Sequence, residues 1–201
     1  MIGMDIGTTY SKVACVSPAG RPASILDDRG QAQIPSVVFL PQNGKPLVGV
    51  DAVEQGYVEP ERCARLFKLK LGTQDSVVGN GAKFDATDAA ATIIAHLKEC
   101  TEQSIGKAVV ECVATCPANF KDNSKQALLE AFYRNNIKVL KLLPEPTAAG
   151  FAYSLNTART QMRIIVHNFG EAPLTPPCSP SKEHRLPCCP PRASRSSAET
   201  T

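Results

Sequence analysis

Apolar and polar residues alternate in short blocks over residues 1–170, and the period of the blocks changes along the chain. Residues 1–5 and 11–16 read as two short strands flanking Gly7-Thr8-Thr9. Residues 36–40 read as a third, and Asn43-Gly44 between apolar runs reads as a tight turn. Together these blocks predict an antiparallel opening. Over residues 88–104 the period lengthens, with Ala90, Ile94, Leu97 and Ile105 at helical spacing and Gly106 as the stop signal. A strand-like run at 108–115 follows. Asn123 with Gln126 three residues on is a capping-box pattern, and Ala127, Leu128, Ala131 and Phe132 supply an apolar face behind it. Residues 139–143 read as a strand, Pro146 suits the first position of a helix running to Leu155, and 164–169 read as a last apolar strand. No internal repeat is visible. Strands alternating with helices predict an α/β fold, a mixed sheet with flanking helices.

Composition divides the chain. Residues 171–201 hold 7 of the 16 prolines and 3 of the 8 cysteines, and no Gly, Val, Ile, Phe, Tyr or Met. Such a stretch buries too little to offset an ordering cost of roughly 1–2 kcal/mol per residue, so a disordered tail is expected there. The chemistry must lie in residues 1–170. Charge is near balance, 22 Lys+Arg against 19 Asp+Glu for a net +3, without the basic stripe that nucleic-acid binding requires. No apolar run approaches the ~18 residues of a membrane span, and the short apolar start is interrupted by Asp5 and has no basic flank. These features predict a cytoplasmic protein with reduced thiols rather than a disulfide framework.

One turn carries chemistry of its own. In Asp5-Ile6-Gly7-Thr8-Thr9-Tyr10-Ser11 a glycine lets backbone N–H groups approach an anion, and the threonine hydroxyls can donate to phosphate oxygens. The Asp5 carboxylate can hold magnesium through water. The same residues equally suit an ordinary hairpin. Lys68 beside Lys70 has the pattern of a solvated surface charge, Glu145 that of a favourable negative charge at a helix start, and Pro117 that of a strand terminator. Cys112 and Cys116, four apart in a strand-like run, fall on one face as small core residues. His96 and His167 have no nucleophile partner in a recognised motif.

Further stretches resemble the seventy-kilodalton heat-shock protein (Hsp70) chaperone family. Met4-Asp5-Ile6-Gly7-Thr8-Thr9-Tyr10-Ser11 is similar to that family's first phosphate loop, Ile34-Pro35-Ser36-Val37-Val38-Phe39 to its next strand, and Phe67-Lys68-Leu69-Lys70-Leu71-Gly72 to its lysine-bearing segment. Ala114-Thr115-Cys116-Pro117-Ala118-Asn119-Phe120 and Leu143-Pro144-Glu145-Pro146-Thr147-Ala148-Ala149-Gly150 resemble its Pro-Ala-x-Phe strand and Glu-Pro-Thr-Ala-Ala helix entrance. The resemblance implies one lobe of an actin-like ATPase over residues 1–170 and an ATP-binding molecular chaperone by descent. ATP/ADP and Mg are the implied cofactors, and co-chaperones or nucleotide-exchange factors the implied partners. By position, Asp5, Gly7, Thr8, Thr9 and Tyr10 would bind the nucleotide, and Asp5 and Glu145 would approach the metal through water. Lys68 and Glu145 would be catalytic, Lys68 orienting the attacking water and neutralising charge on the γ-phosphoryl oxygens. Pro117 would be the switch that links nucleotide state to peptide release.

The sequence also departs from the family. Where the family has an aspartate ending a strand before a second glycine-rich loop, Ile165-Val166-His167-Asn168-Phe169-Gly170 presents Asn168, and Glu171-Ala172-Pro173 replaces the expected glycines and threonine. An amide cannot accept a proton and brings no charge to a magnesium shell. The reading is therefore a truncated family member that binds ATP weakly and is impaired in hydrolysis. Self-association is expected through the unpaired strand at 164–169. The alternative is a non-enzymatic fragment that binds co-chaperones or other partners through its inter-lobe face or tail. The tail itself reads either as a shifted frame or as an interaction segment, with Pro176-Pro177 and Pro190-Pro191 as polyproline elements. Cys178, His184, Cys188 and Cys189 lack the Cys-x-x-Cys pair of a zinc site.

Overall fold

Asp85 starts the longest helix by closing a reciprocal cap. Its carboxylate accepts from the N–H groups of Thr87 (2.7 Å) and Asp88 (2.9 Å), and the Asp88 carboxylate accepts from the Asp85 N–H at 3.0 Å. The helix runs Ala86–Ile105 and stops at Gly106, whose φ of 65° lies in the left-handed region that favours glycine. This element organises the core of a computed structural model that describes residues 1–17, 20–155 and 165–166.

In chain order the strands are β1 (Ile2–Ile6), β2 (Tyr10–Val16), β3 (Pro22–Ser24), β4 (Ile34–Pro35), β5 (Val38–Phe39), β6 (Leu47–Val48), β7 (Cys63–Ala64), β8 (Glu111–Cys116) and β9 (Lys138–Pro144). The helices are α1 (Val50–Val58), α2 (Ala86–Ile105), α3 (Asp122–Tyr133) and α4 (Glu145–Leu155). The main sheet has the order β3-β2-β1-β8-β9, with β4 added beside the start of β2. It is mixed: β1 and β2 are antiparallel, whereas β8 runs parallel to β1 and β9 parallel to β8. A smaller antiparallel sheet, β6-β5-β7, forms where the chain turns at Ser36-Val37 and leaves the first sheet.

Strand parity decides which face is covered. Met4, Ile6, Val13, Cys112, Ala114 and Cys116 point to one side and pack with Ala89, Ile93, Ile94 and Leu97 of α2 and Leu128, Ala131 and Phe132 of α3. Cys112 and Cys116 therefore sit on the buried face, as their spacing predicts. Among the described residues, no helix is long and apolar enough to cross a membrane.

Three local expectations are corrected. Asn123 does not cap α3: the N-cap is Lys121, without a side-chain cap bond, and the Asn123 amide instead donates to the Gly72 carbonyl at 3.1 Å. Asn43-Gly44 does not close a two-residue hairpin, because Phe39 pairs with Leu47 and leaves a longer loop between β5 and β6. The run 36–40 contributes only Val38–Phe39 as strand, since Ser36 and Val37 make the passage between sheets. Of the apolar strand expected at 164–169, Ile165 and Val166 are described and neither is in a strand. The remainder, with Asn168 and the tail, lies outside the described residues.

Candidate functional site at the strand ends

The three parallel strands of the main sheet end level with one another. Met4 pairs with Ala114 and Cys116 with Pro144, so the carboxyl ends of β1, β8 and β9 form one rim. Crevices outside such ends are where sheets of this kind bind ligands. The rim carries Asp5 of β1 and the Gly7-Thr8-Thr9 turn after that strand, Thr115 of β8 with Pro117 just past its end, and Glu145, the first residue of α4, directly after β9.

The turn after β1 requires its glycine. A Cβ on Gly7 would lie 2.0 Å from the Tyr10 carbonyl oxygen, a backbone atom that cannot swing aside. Thr8 and Thr9 are half-buried, and among the described residues neither hydroxyl has a protein partner. The Thr9 carbonyl accepts from the Ser36 N–H at 2.8 Å, and the Ser36 hydroxyl is 2.8 Å from that of Ser11 in a fully buried pair. The elbow between the two sheets thereby anchors the turn from below. Tyr10 is exposed at the foot of β2.

Lys68 is brought to the same rim from a 3-10 turn over Phe67–Lys70. Phe67 and Leu71 are buried in the core, and the Leu71 carbonyl accepts from the Ser124 hydroxyl at 2.8 Å. Gly72, at φ 85°, meets the backbone of Asn123 and Ser124 so closely that a Cβ would come within 2.8 Å. Leu66 enters the turn at φ 53°, a conformation costly for a residue with a branched side chain. So held, Lys68 is not the solvated charge its neighbourhood in sequence suggests, whereas Lys70 is exposed. The Lys68 side chain is 2% exposed and donates to Glu145 Oε1 at 2.7 Å, with its ammonium 5.9 Å from the centre of the Phe120 ring. Pro117 opens the turn that delivers that ring, its carbonyl accepting from the Phe120 N–H at 3.2 Å.

Asp5 has a different neighbour. Its Oδ1 accepts from the Thr115 hydroxyl at 2.5 Å, and Lys12 stands opposite it on β2. Among the described residues no hydrogen bond or ion pair joins the Asp5 group to the Lys68–Glu145 pair. Among the described residues, no cluster of three or more His, Cys, Asp or Glu side chains is placed to ligate a metal directly. The donor set suits a triphosphate with hydrated magnesium: an ammonium, two free hydroxyls, a glycine turn and two separated carboxylates. Burial pushes the Cys116 thiol upward, with Lys125 lowering it, Glu145 raising it and Lys68 lowering it.

Thr115 and Lys12 neighbour Asp5, Ser36 anchors the turn and Phe120 faces Lys68; Ser36, Thr115 and Phe120 lie inside the stretches that carry the resemblance, but spacing alone assigns none of the four its contact. Thr115 and Lys12 follow only once the strand register puts them beside Asp5.

A family model described as "Hsp70 protein" matches residues 1–80 and 73–175. The chain is 35% identical over 170 residues to chaperone protein DnaK of Thermotoga neapolitana, covering 85% of this chain and 28% of that protein. The DnaK proteins of Thermotoga petrophila and Thermotoga maritima match with the same identity and coverage. The chain thus spans 28% of the length of these curated relatives.

Proposed function

The chain belongs to the Hsp70 family, and from that premise we propose that residues 1–170 form one lobe of an actin-like nucleotide-binding domain serving an ATP-dependent chaperone. The observation that carries the reading is the Lys68–Glu145 pair, a buried cation and its counter-ion set on the same rim as the Gly7-Thr8-Thr9 turn. Backbone N–H groups of the turn and the hydroxyls of Thr8 and Thr9 receive the β- and γ-phosphates, with Tyr10 bordering them. Lys68 orients a water toward the γ-phosphoryl group and balances charge on its oxygens, since positioning and charge supply most of phosphoryl-transfer catalysis. Magnesium, when bound with the nucleotide, neutralises the phosphates, and Asp5 and Glu145 hold its water shell. Pro117 transmits nucleotide state through the turn that seats Phe120 against Lys68. Co-chaperones and nucleotide-exchange factors are the partners this reading assigns.

Hydrolysis in this chain is impaired in the same proposal. Its support is the sequence, in which Asn168 offers an amide where the family resemblance calls for a carboxylate.

Thermal unfolding with and without magnesium ATP tests the reading. At a hundred times its dissociation constant, a ligand specific for the native state adds roughly 2.7 kcal/mol. For about 200 residues that raises Tm by about 5–10 °C. A shift that Lys68→Ala diminishes supports the site. No shift at millimolar nucleotide refutes it and leaves binding of protein partners as the reading to pursue.

A further inference from the structure

We propose that Thr115 is a positioning residue for Asp5, fixing one carboxylate oxygen so that the other is presented to the hydrated magnesium of a bound nucleotide. The inference rests on the nucleotide-site reading above and adds to it a residue on a different strand.

Register places the two side chains together. Met4 pairs with Ala114 across the parallel β1–β8 ladder, so Asp5 stands beside Thr115 one step further along. Met4, Ile6, Ala114 and Cys116 are buried toward α2 and α3, so Asp5 and Thr115 share the opposite face. There the Thr115 hydroxyl donates to Asp5 Oδ1 at 2.5 Å, in the short range of a hydrogen bond to a charged acceptor. Branching at Cβ restricts χ1 of threonine, which makes Thr115 a stiff support. On the other flank Lys12 is paired with Asp5 in register, yet no ion pair within 4.0 Å forms between them. Among the described residues no ion pair reaches Asp5, so its second oxygen meets no cation there, while a neutral donor holds the first. A carboxylate held in this way orders a water shell without first giving up its own rotational freedom.

A simple stitch between two strands would show the same distance, and the two roles separate in a metal dependence. Equilibrium affinity for a fluorescent ATP analogue is measured in magnesium and in EDTA for the wild-type chain, Thr115→Val and Thr115→Ser. The expected result is that Thr115→Val lowers the enhancement by magnesium about tenfold, with affinity in EDTA unchanged, and that Thr115→Ser restores most of it. Thr115→Ala replaces Thr115→Val should the latter not fold by circular dichroism. An unaltered magnesium enhancement in the valine variant, or equal loss in both media, overturns the positioning role while the nucleotide site stands. Failure of the wild-type chain to bind in either medium overturns the nucleotide site itself, and the inference with it.

Discussion

Lys68 Nζ lies 2.7 Å from Glu145 Oε1, joining residues 77 positions apart. The contact bridges the 3-10 turn of Lys68 to the first residue of α4, and it is lopsided in burial. The Lys68 side chain is 2% exposed and that of Glu145 25%.

That asymmetry predicts unequal costs for breaking the pair. Glu145→Ala strands an ammonium in the interior, a situation that costs about 3–5 kcal/mol when one partner of a buried pair is removed. Lys68→Met keeps the volume of the stem and leaves a carboxylate that water reaches, so its cost is roughly half as large or less. Urea midpoints of the two variants check the order. Equal losses would mean that the lysine is as well hydrated as its partner.

The Gly7 turn predicts a contrast within one strand region. At Gly7 an added Cβ meets the Tyr10 carbonyl oxygen at 2.0 Å, whereas at Gly3 the nearest atom, the Ala14 carbonyl oxygen, is 4.0 Å away. Gly7→Ala must displace backbone and is expected to cost about 1–3 kcal/mol and to abolish nucleotide protection. Gly3→Ala should stay within about 0.5 kcal/mol. Thermal melts of both, with and without ATP, decide the matter, and a tolerated Gly7→Ala would contradict the geometry of the turn.

Ser11 and Ser36 are 2.8 Å apart and almost fully buried. Removing one hydroxyl leaves the other without its partner, at about 1–3 kcal/mol, whereas removing both leaves no orphan. Ser11→Ala/Ser36→Ala is therefore expected to be more stable than the sum of the single changes implies. A double-mutant cycle measures this, and strict additivity would argue against a coupled pair.

Much of this architecture was legible in the sequence because it rests on local signals. Helical spacing and Gly106 marked α2 to within two or three residues at its start, and the strands around Gly7 follow from alternation alone. The Asn123 cap failed because tertiary context recruits that amide to Gly72, a partner 51 positions away. For the site, the family resemblance rather than spacing singled out Lys68 and Glu145. Lys68 looks solvated beside Lys70, and its burial arises from Phe67, Leu71 and Ser124, which no local window connects. Thr115 escaped notice for the same reason, since its importance lies in the pairing of β1 with β8.

The Cys112 thiol makes stability depend on pH in the alkaline range. Burial in the core pushes it up to about 12, against about 8.5 for a thiol in an unfolded chain. Between those values the unfolded chain releases a proton that the folded chain retains, so the unfolded state binds fewer protons and stability falls as pH rises. Below the ordinary thiol range the contribution is fully present. Burial also raises Cys100 and Cys116, so they add to the slope in the same direction. Cys112→Ala should accordingly lessen, without removing, the decline of Tm between about pH 8 and pH 10.5. The check is a pair of melting series across that range. Parallel declines would show that the thiol ionises as easily in the fold as outside it, which its 1% exposure makes untenable unless the core around β8 opens before the protein unfolds.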